Sequence, residues 1–189
     1  MGDFVADIAR GDELIEIQTG SFSALGNKLD HLLAEHRILL EYPVIVERRI
    51  ERDGARPRRS PKRGGLLDVF DELVSIPTLL DHPHLTLEVV LVSVIEQRVA
   101  DPSLRRGRGG DRTVDRRLGE VRGRHRFEQP SDLLDLVPAD VPEPFTTADL
   151  ARYMGTSRDL AQKVAYCLRA LDLFHEQGRT RAGVSYIRR

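Results

Sequence analysis

The chain has 189 residues, 40% of them hydrophobic and 31% charged, and a formal net charge of −1. That length allows one medium domain or two small ones, and the composition fits a soluble globular protein. An internal disulfide is excluded because Cys167 is the only cysteine. No apolar run approaches the ~20 residues that span a bilayer, and no signal peptide is expected before the first strand, so a cytoplasmic location with no membrane partner is expected.

"FVADIAR" reads as a short strand, Gly11-Asp12 as a turn and "ELIEIQT" as a second strand, together a hairpin. On the second strand Ile15 and Ile17 face one way while Leu14, Glu16 and Gln18 face the other. A helical period follows from about Ser23 to Leu40, with Leu25, Leu29, Leu32, Leu33 and Leu40 as its stripe and Tyr42-Pro43 as its stop. "VIVERRI" reads as a strand, "GARPRRSPKRGG" as a loop and "LLDVFDELVSIPTLL" as helical, ended or kinked at Pro77. "LTLEVVLVSVIEQRV" is a β-branched strand of central type. The order β–β–α–β–α–β implies a mixed sheet with parallel pairs and flanking helices.

Residues 101–126 are Gly/Arg-rich without a clear period and read as a linker. They hold nine Arg against four acids, and residues 47–63 hold eight Arg/Lys against three. Two explanations stand for such segments: a local footprint for a polyanion, or a solvated charged surface. "PSDLLDLVP" is a short helix. Beyond it Thr147 can cap a helix through Met154, "GTS" makes a tight turn, and Ser157 caps a longer helix. That helix has Leu160, Ala161, Val164, Ala165, Leu168 and Leu171 on one face, and "EQGRTRAGVSYIRR" follows as a hairpin.

Short helix, three-residue turn, longer helix, hairpin: over residues 130–189 this order resembles the winged helix-turn-helix family. The resemblance implies DNA as partner, with the second helix entering the major groove. Its exposed positions are Ser157, Arg158, Gln162, Lys163 and Arg169. Arg158 suits guanine, Gln162 adenine and Lys163 a phosphate, with Arg179 and Arg181 of the wing on the backbone. Winged helices also serve as protein-docking modules, so that alternative stands beside the first.

The N-terminal hairpin raises its own question, because a strand facing a core carries a carboxylate at Glu16. An acid in the first strand, an acid-x-polar pair in the second, and a helix and strand after them resemble the PD-(D/E)XK nuclease superfamily. The matching residues are Asp7, Glu16 and Gln18. The resemblance implies a restriction-endonuclease-like mixed sheet in which Asp7, Glu16 and the Ile17 carbonyl hold Mg²⁺ (or Mn²⁺). A hard cation of this kind wants oxygens on rigid elements and open positions for water and phosphate. Gln18 stands where the family has lysine, and an amide orients water without acting as a base. Lys28 is then the candidate for the missing cation, with His31 as another. The family's proline before the first acid is absent. Glu16 as an acid paired with an arginine, and Gln18 as a turn cap, is the alternative.

The expected organisation is therefore an α/β nuclease-like domain at 1–103, a basic linker at 104–129 and a winged helix at 130–189. The expected activity is metal-dependent DNA hydrolysis through Asp7, Glu16, Gln18 and Lys28, leaving a 5′-phosphate and a 3′-hydroxyl. The alternative is a non-catalytic DNA-binding regulator, with the nuclease-like part used for dimerisation or sensing; a homodimer is expected. Arg58, Arg59, Lys62 and Arg63, with the amides of Gly64 and Gly65, form a candidate phosphate cradle before the helix near Leu66. His82 and His84, two apart around a proline, read as loop residues rather than metal ligands.

Overall fold

The computed structural model describes residues 6–101, 110–181 and 183–189. It is a mixed α/β structure. Its larger sheet runs β1 (Ile8–Arg10), β2 (Glu13–Ile17), β3 (Arg37–Arg52), β5 (Leu85–Ala100) and β6 (Asp111–Phe127), and β4 (Ala55–Arg59) pairs with β3. β1 and β2 are antiparallel, joined through Gly11 at φ +64°, which glycine adopts without strain. β2 and β3 are parallel, with Glu16 level with Leu40. Between them lie a short 3₁₀ turn over Phe22–Ala24 and the helix α1 (Gly26–Leu33). α1 buries Leu29, Leu32 and Leu33, each worth about 1.5–3 kcal/mol out of water. A second 3₁₀ turn (Leu66–Val69) leads into α2 (Phe70–Leu73), and a third covers Leu79–Asp81.

The described residues divide into two compact units: those up to Tyr42, in Leu67–Glu88 and from Arg126 on in one, and those in Pro43–Leu66 and between Val89 and His125 in the other. The first unit buries Phe22, Leu29, Leu33, Ile38, Leu40, Phe70, Leu73 and Leu85. Its C-terminal part runs from a 3₁₀ helix (Pro130–Leu136) through β7 (Phe145–Thr146), α3 (Thr147–Met154) and α4 (Arg158–Ala170) to β8 (Phe174–Thr180) and β9 (Gly183–Arg188). β7, β9 and β8 form a three-stranded sheet in that order. Phe145 and Phe174 meet edge to face at 5.0 Å under it. The second unit has a smaller core in which Ile45 packs on Val90, Val92 and Val94.

Five expectations about elements are corrected. The helix expected to reach Leu40 ends at Leu33, and Ile38, Leu39 and Leu40 are buried in β3. Tyr42-Pro43 is no stop, because β3 continues through it to Arg52. The helix expected from Leu66 through Pro77 shrinks to a 3₁₀ turn and one α-helical turn. The segment read as a linker is for the most part β6, a strand of 17 residues, and the five residues Ala55–Arg59 of the expected loop are β4. Residues 102–109 of the expected linker, the start of the first strand up to Val5, and Ala182 in the hairpin turn lie outside the described residues.

Candidate nucleic-acid interface and acidic pair

Glu16 sits on β2, on the side covered by α1, and only 7% of it is exposed. A carboxylate there needs a partner, and α1 supplies it: Lys28 Nζ donates to Glu16 Oε1 at 2.6 Å. The second oxygen, Oε2, is buried with no hydrogen-bond partner. Asp7 precedes β1 by one residue. Ile8 is level with Ile15, so one further step of the same register sets Asp7 across from Glu16. Its Oδ2 accepts from the Ile17 N–H at 2.8 Å.

Asp7, Glu16, Ile17 and Lys28 are thus brought to one end of β2. Gln18 turns away: its side-chain amide donates to the Ser21 carbonyl at 2.8 Å and fastens the turn into α1. Among the described residues no group of three or more His, Cys, Asp or Glu is placed to hold a metal ion. A magnesium ion usually takes only one or two carboxylates plus substrate oxygens. The orphaned Glu16 Oε2, with Asp7 across the hairpin, fits that limited donor set, although Oε1 already belongs to Lys28. His82 and His84 are loop fasteners, since His82 Nδ1 accepts from the His84 N–H and the His84 ring contacts the Leu33 carbonyl.

In the C-terminal part, the cap of α3 is Thr146 rather than Thr147. Its hydroxyl accepts from the Asp149 N–H while the Asp149 carboxylate accepts back from Thr146. Those hydrogen bonds hold the Asp149 carboxyl below its ordinary value. Gly155 ends α3 in the left-handed region, at φ +62°. Ser157 caps α4 by accepting from the Leu160 N–H at 3.1 Å, so its hydroxyl already serves the helix.

One face of α4 buries Leu160, Ala161, Val164, Ala165 and Leu168. The opposite face carries Arg158, Gln162, Tyr166 and Arg169. It lines an open cleft of about 500 Å³ whose other wall includes Glu176, Arg179, Val184 and Tyr186 of the hairpin. Three guanidinium groups face one carboxylate there, and Arg169 holds that carboxylate, Glu176, at 2.6 Å. Arg181 is exposed in the turn between β8 and β9. Lys163 points elsewhere. It bonds Asp159 at 2.9 Å and Asp71 of α2 at 3.0 Å, and these two carboxylates hold its ammonium above its ordinary pKa. Tyr166 went unnoticed in the sequence, although its spacing of four from Gln162 and eight from Arg158 sets it on their face.

The arginine-rich segments are largely answered by acids on neighbouring strands. Glu96, 1% exposed, is reached by Arg48, Arg98 and Arg116 at 3.1, 2.7 and 3.1 Å. Arg117 reaches Glu51, Arg122 reaches Glu47, and Arg52 pairs with Asp111. Arg58 and Arg59 are exposed on β4, and Lys62 and Arg63 in the loop after it. The expected phosphate cradle loses one amide, because the Gly64 N–H donates to the Ile45 carbonyl at 3.0 Å, and the helix it would have opened is a 3₁₀ turn of four residues.

No solved structure matches the chain. A protein of Treponema pallidum (strain Nichols), described as an uncharacterized protein, is 32% identical over 154 residues, covering 78% of this chain and 61% of that relative. The chain therefore spans about three fifths of that relative's length. A family model described as "Domain of unknown function (DUF8091)" matches residues 1–128, up to the start of the C-terminal module and including the Glu16–Lys28 pair. On that match, over more than half its length, the chain belongs to the DUF8091 family.

Proposed function

We propose that the protein binds duplex DNA through the open face of α4 and the β8–β9 hairpin, in the manner of a winged helix-turn-helix. The observation that carries this is the cleft lined by Arg158, Gln162, Tyr166 and Arg169 on one wall and Arg179 on the other. A helix whose far face is fully packed and whose near face presents a fork, an amide and an aromatic ring has the chemistry for base edges in a major groove. In this reading Arg158 and Gln162 read bases and Arg179 and Arg181 touch the backbone, while Lys163 and Ser157 hold α4 in place. Fluorescence anisotropy with labelled duplexes tests it. Arg158→Ala should cost about 1–3 kcal/mol of discrimination at the base it reads. Unchanged affinity and preference at every salt concentration would overturn the docking of α4.

A second reading, metal-dependent phosphodiester hydrolysis of the PD-(D/E)XK kind, is favoured by the orphaned Glu16 Oε2. Asp7, Glu16 and the Ile17 carbonyl would hold Mg²⁺ or Mn²⁺, which would lower the pKa of a bound water. The chain's own part would then be to orient and to neutralise charge: Lys28, already at Glu16, lies where it can stabilise an anionic oxygen. Plasmid nicking with either metal, run beside Glu16→Ala, separates the two readings. Equal nicking by wild type and variant would assign the activity to contamination or another site and remove Glu16 from consideration, and no nicking by either would leave a non-catalytic DNA-binding protein.

A further inference from the structure

The second unit holds 14 Arg and Lys against 8 Asp and Glu among its described residues, a net charge of +6 by difference. Most of its arginines on β3, β5 and β6 are spent on Glu47, Glu51, Glu96 and Asp111. β4 and the loop after it differ. All five residues of β4 are exposed, and Arg56, Arg58, Lys62 and Arg63 have no ion pair among the described residues. The strand buries no side chain of its own, and its register sets Arg59 directly opposite Arg49. Like charges facing each other across a ladder are destabilising, and a hairpin arm without an apolar face gains little from folding. Glu47 answers Arg59 and Glu51 answers Arg49, each at 3.4 Å, which leaves Arg56, Arg58, Lys62 and Arg63 as the cations without a carboxylate among the described residues of β4 and its loop.

We infer that β4 and its following loop form a second docking surface, for the phosphate backbone of duplex DNA. The surface reads charge rather than sequence, because Arg56, Arg58 and Lys62 reach phosphate oxygens and release condensed counterions as they do. It goes beyond the reading of α4 and stands on different residues.

The test is anisotropy of the whole chain with a random-sequence duplex between 50 and 200 mM KCl. The variants are R56Q/R58Q/K62Q and the charge-keeping R56K/R58K. Three lost phosphate contacts at about 0.9 each should shallow the salt slope by about 2.7, so wild-type affinity should fall about 40-fold more than the glutamine variant's across that range. The lysine variant should keep the wild-type slope, since a point charge suffices for a phosphate. An unchanged slope in the glutamine variant overturns the assignment, as does heparin binding as tightly as duplex at equal charge concentration. A failure of the α4 reading has a different signature: Arg158→Ala has no effect while the glutamine variant still flattens the slope.

Discussion

Replacing Lys28 by methionine keeps the bulk of the side chain over β2 and removes its charge, leaving the Glu16 carboxylate with neither oxygen paired. In the wild type the Glu16 side chain is 9% exposed and that of Lys28 18%, so water screens the pair little. Removing one partner from a buried pair costs about 3–5 kcal/mol, and the partial exposure of Lys28 puts this case near 3. For a chain of this length that corresponds to a fall in Tm of about 6–12 °C. Glu16→Gln in the Lys28→Met background removes the stranded charge and should recover about 2 kcal/mol, giving a clear coupling energy in a double-mutant cycle. Urea unfolding with an unchanged slope is the assay. If Glu16 also takes a divalent ion, Mg²⁺ should restore stability to the single variant and not to the double one, through binding to the folded state. A Lys28→Met cost under about 0.5 kcal/mol, or strictly additive single and double variants, would refute the claim that this pair holds α1 on β2.

Burial alone would raise the Glu96 carboxyl, but the Arg98 hydrogen bonds and the charges of Arg48, Arg98 and Arg116 hold it below its ordinary value of 4.5. A carboxyl held low contributes stability that is complete above its unfolded pKa and disappears as pH falls through the folded one. Wild-type stability should therefore decline from about pH 4.5 downward, and Glu96→Gln should flatten that decline while costing about 2–4 kcal/mol at pH 7, both read from denaturant midpoints. Gly119→Ala would bring a Cβ to 2.7 Å from Ser93 Oγ, the atom that accepts from the Glu120 N–H, and should cost about 1–3 kcal/mol, read by thermal melting. The Cys167 thiol is buried and pushed up to about 12 by that burial, so maleimide should label it only on unfolding; rapid labelling of the folded chain would show that α4 opens locally.

The C-terminal module was legible because its signals are local. Ser157 caps its own helix, Gly155 terminates the one before, and the stripe from Leu160 to Leu168 repeats at the helical period. The β1–β2 hairpin followed from alternation in the same way, and the helix after β2 implied a parallel pair, but the stretch of β3 that makes that pair, Arg37–Glu41, was read as helix up to Leu40. Leu40 misled because it continues the leucine spacing of α1 by coincidence. What makes Ile38-Leu39-Leu40 a strand is burial, together with the ladder to β2, and neither leaves a periodic trace in the sequence.

The site divides along the same line. Composition determined that arginines cluster in two segments, and spacing determined that Arg158 and Gln162 share a helix face. Only the tertiary structure decided which charges remain available, since an ion pair depends on distance in space. Glu96 lies 48 residues from Arg48 and 20 from Arg116, yet all three meet, and Lys163 is held by Asp71, 92 residues away. β6 stayed hidden for the same reason. Exposed along most of its length, it shows no alternation of apolar and polar residues, and it is held by its place beside β5 and by carboxylates supplied by other strands.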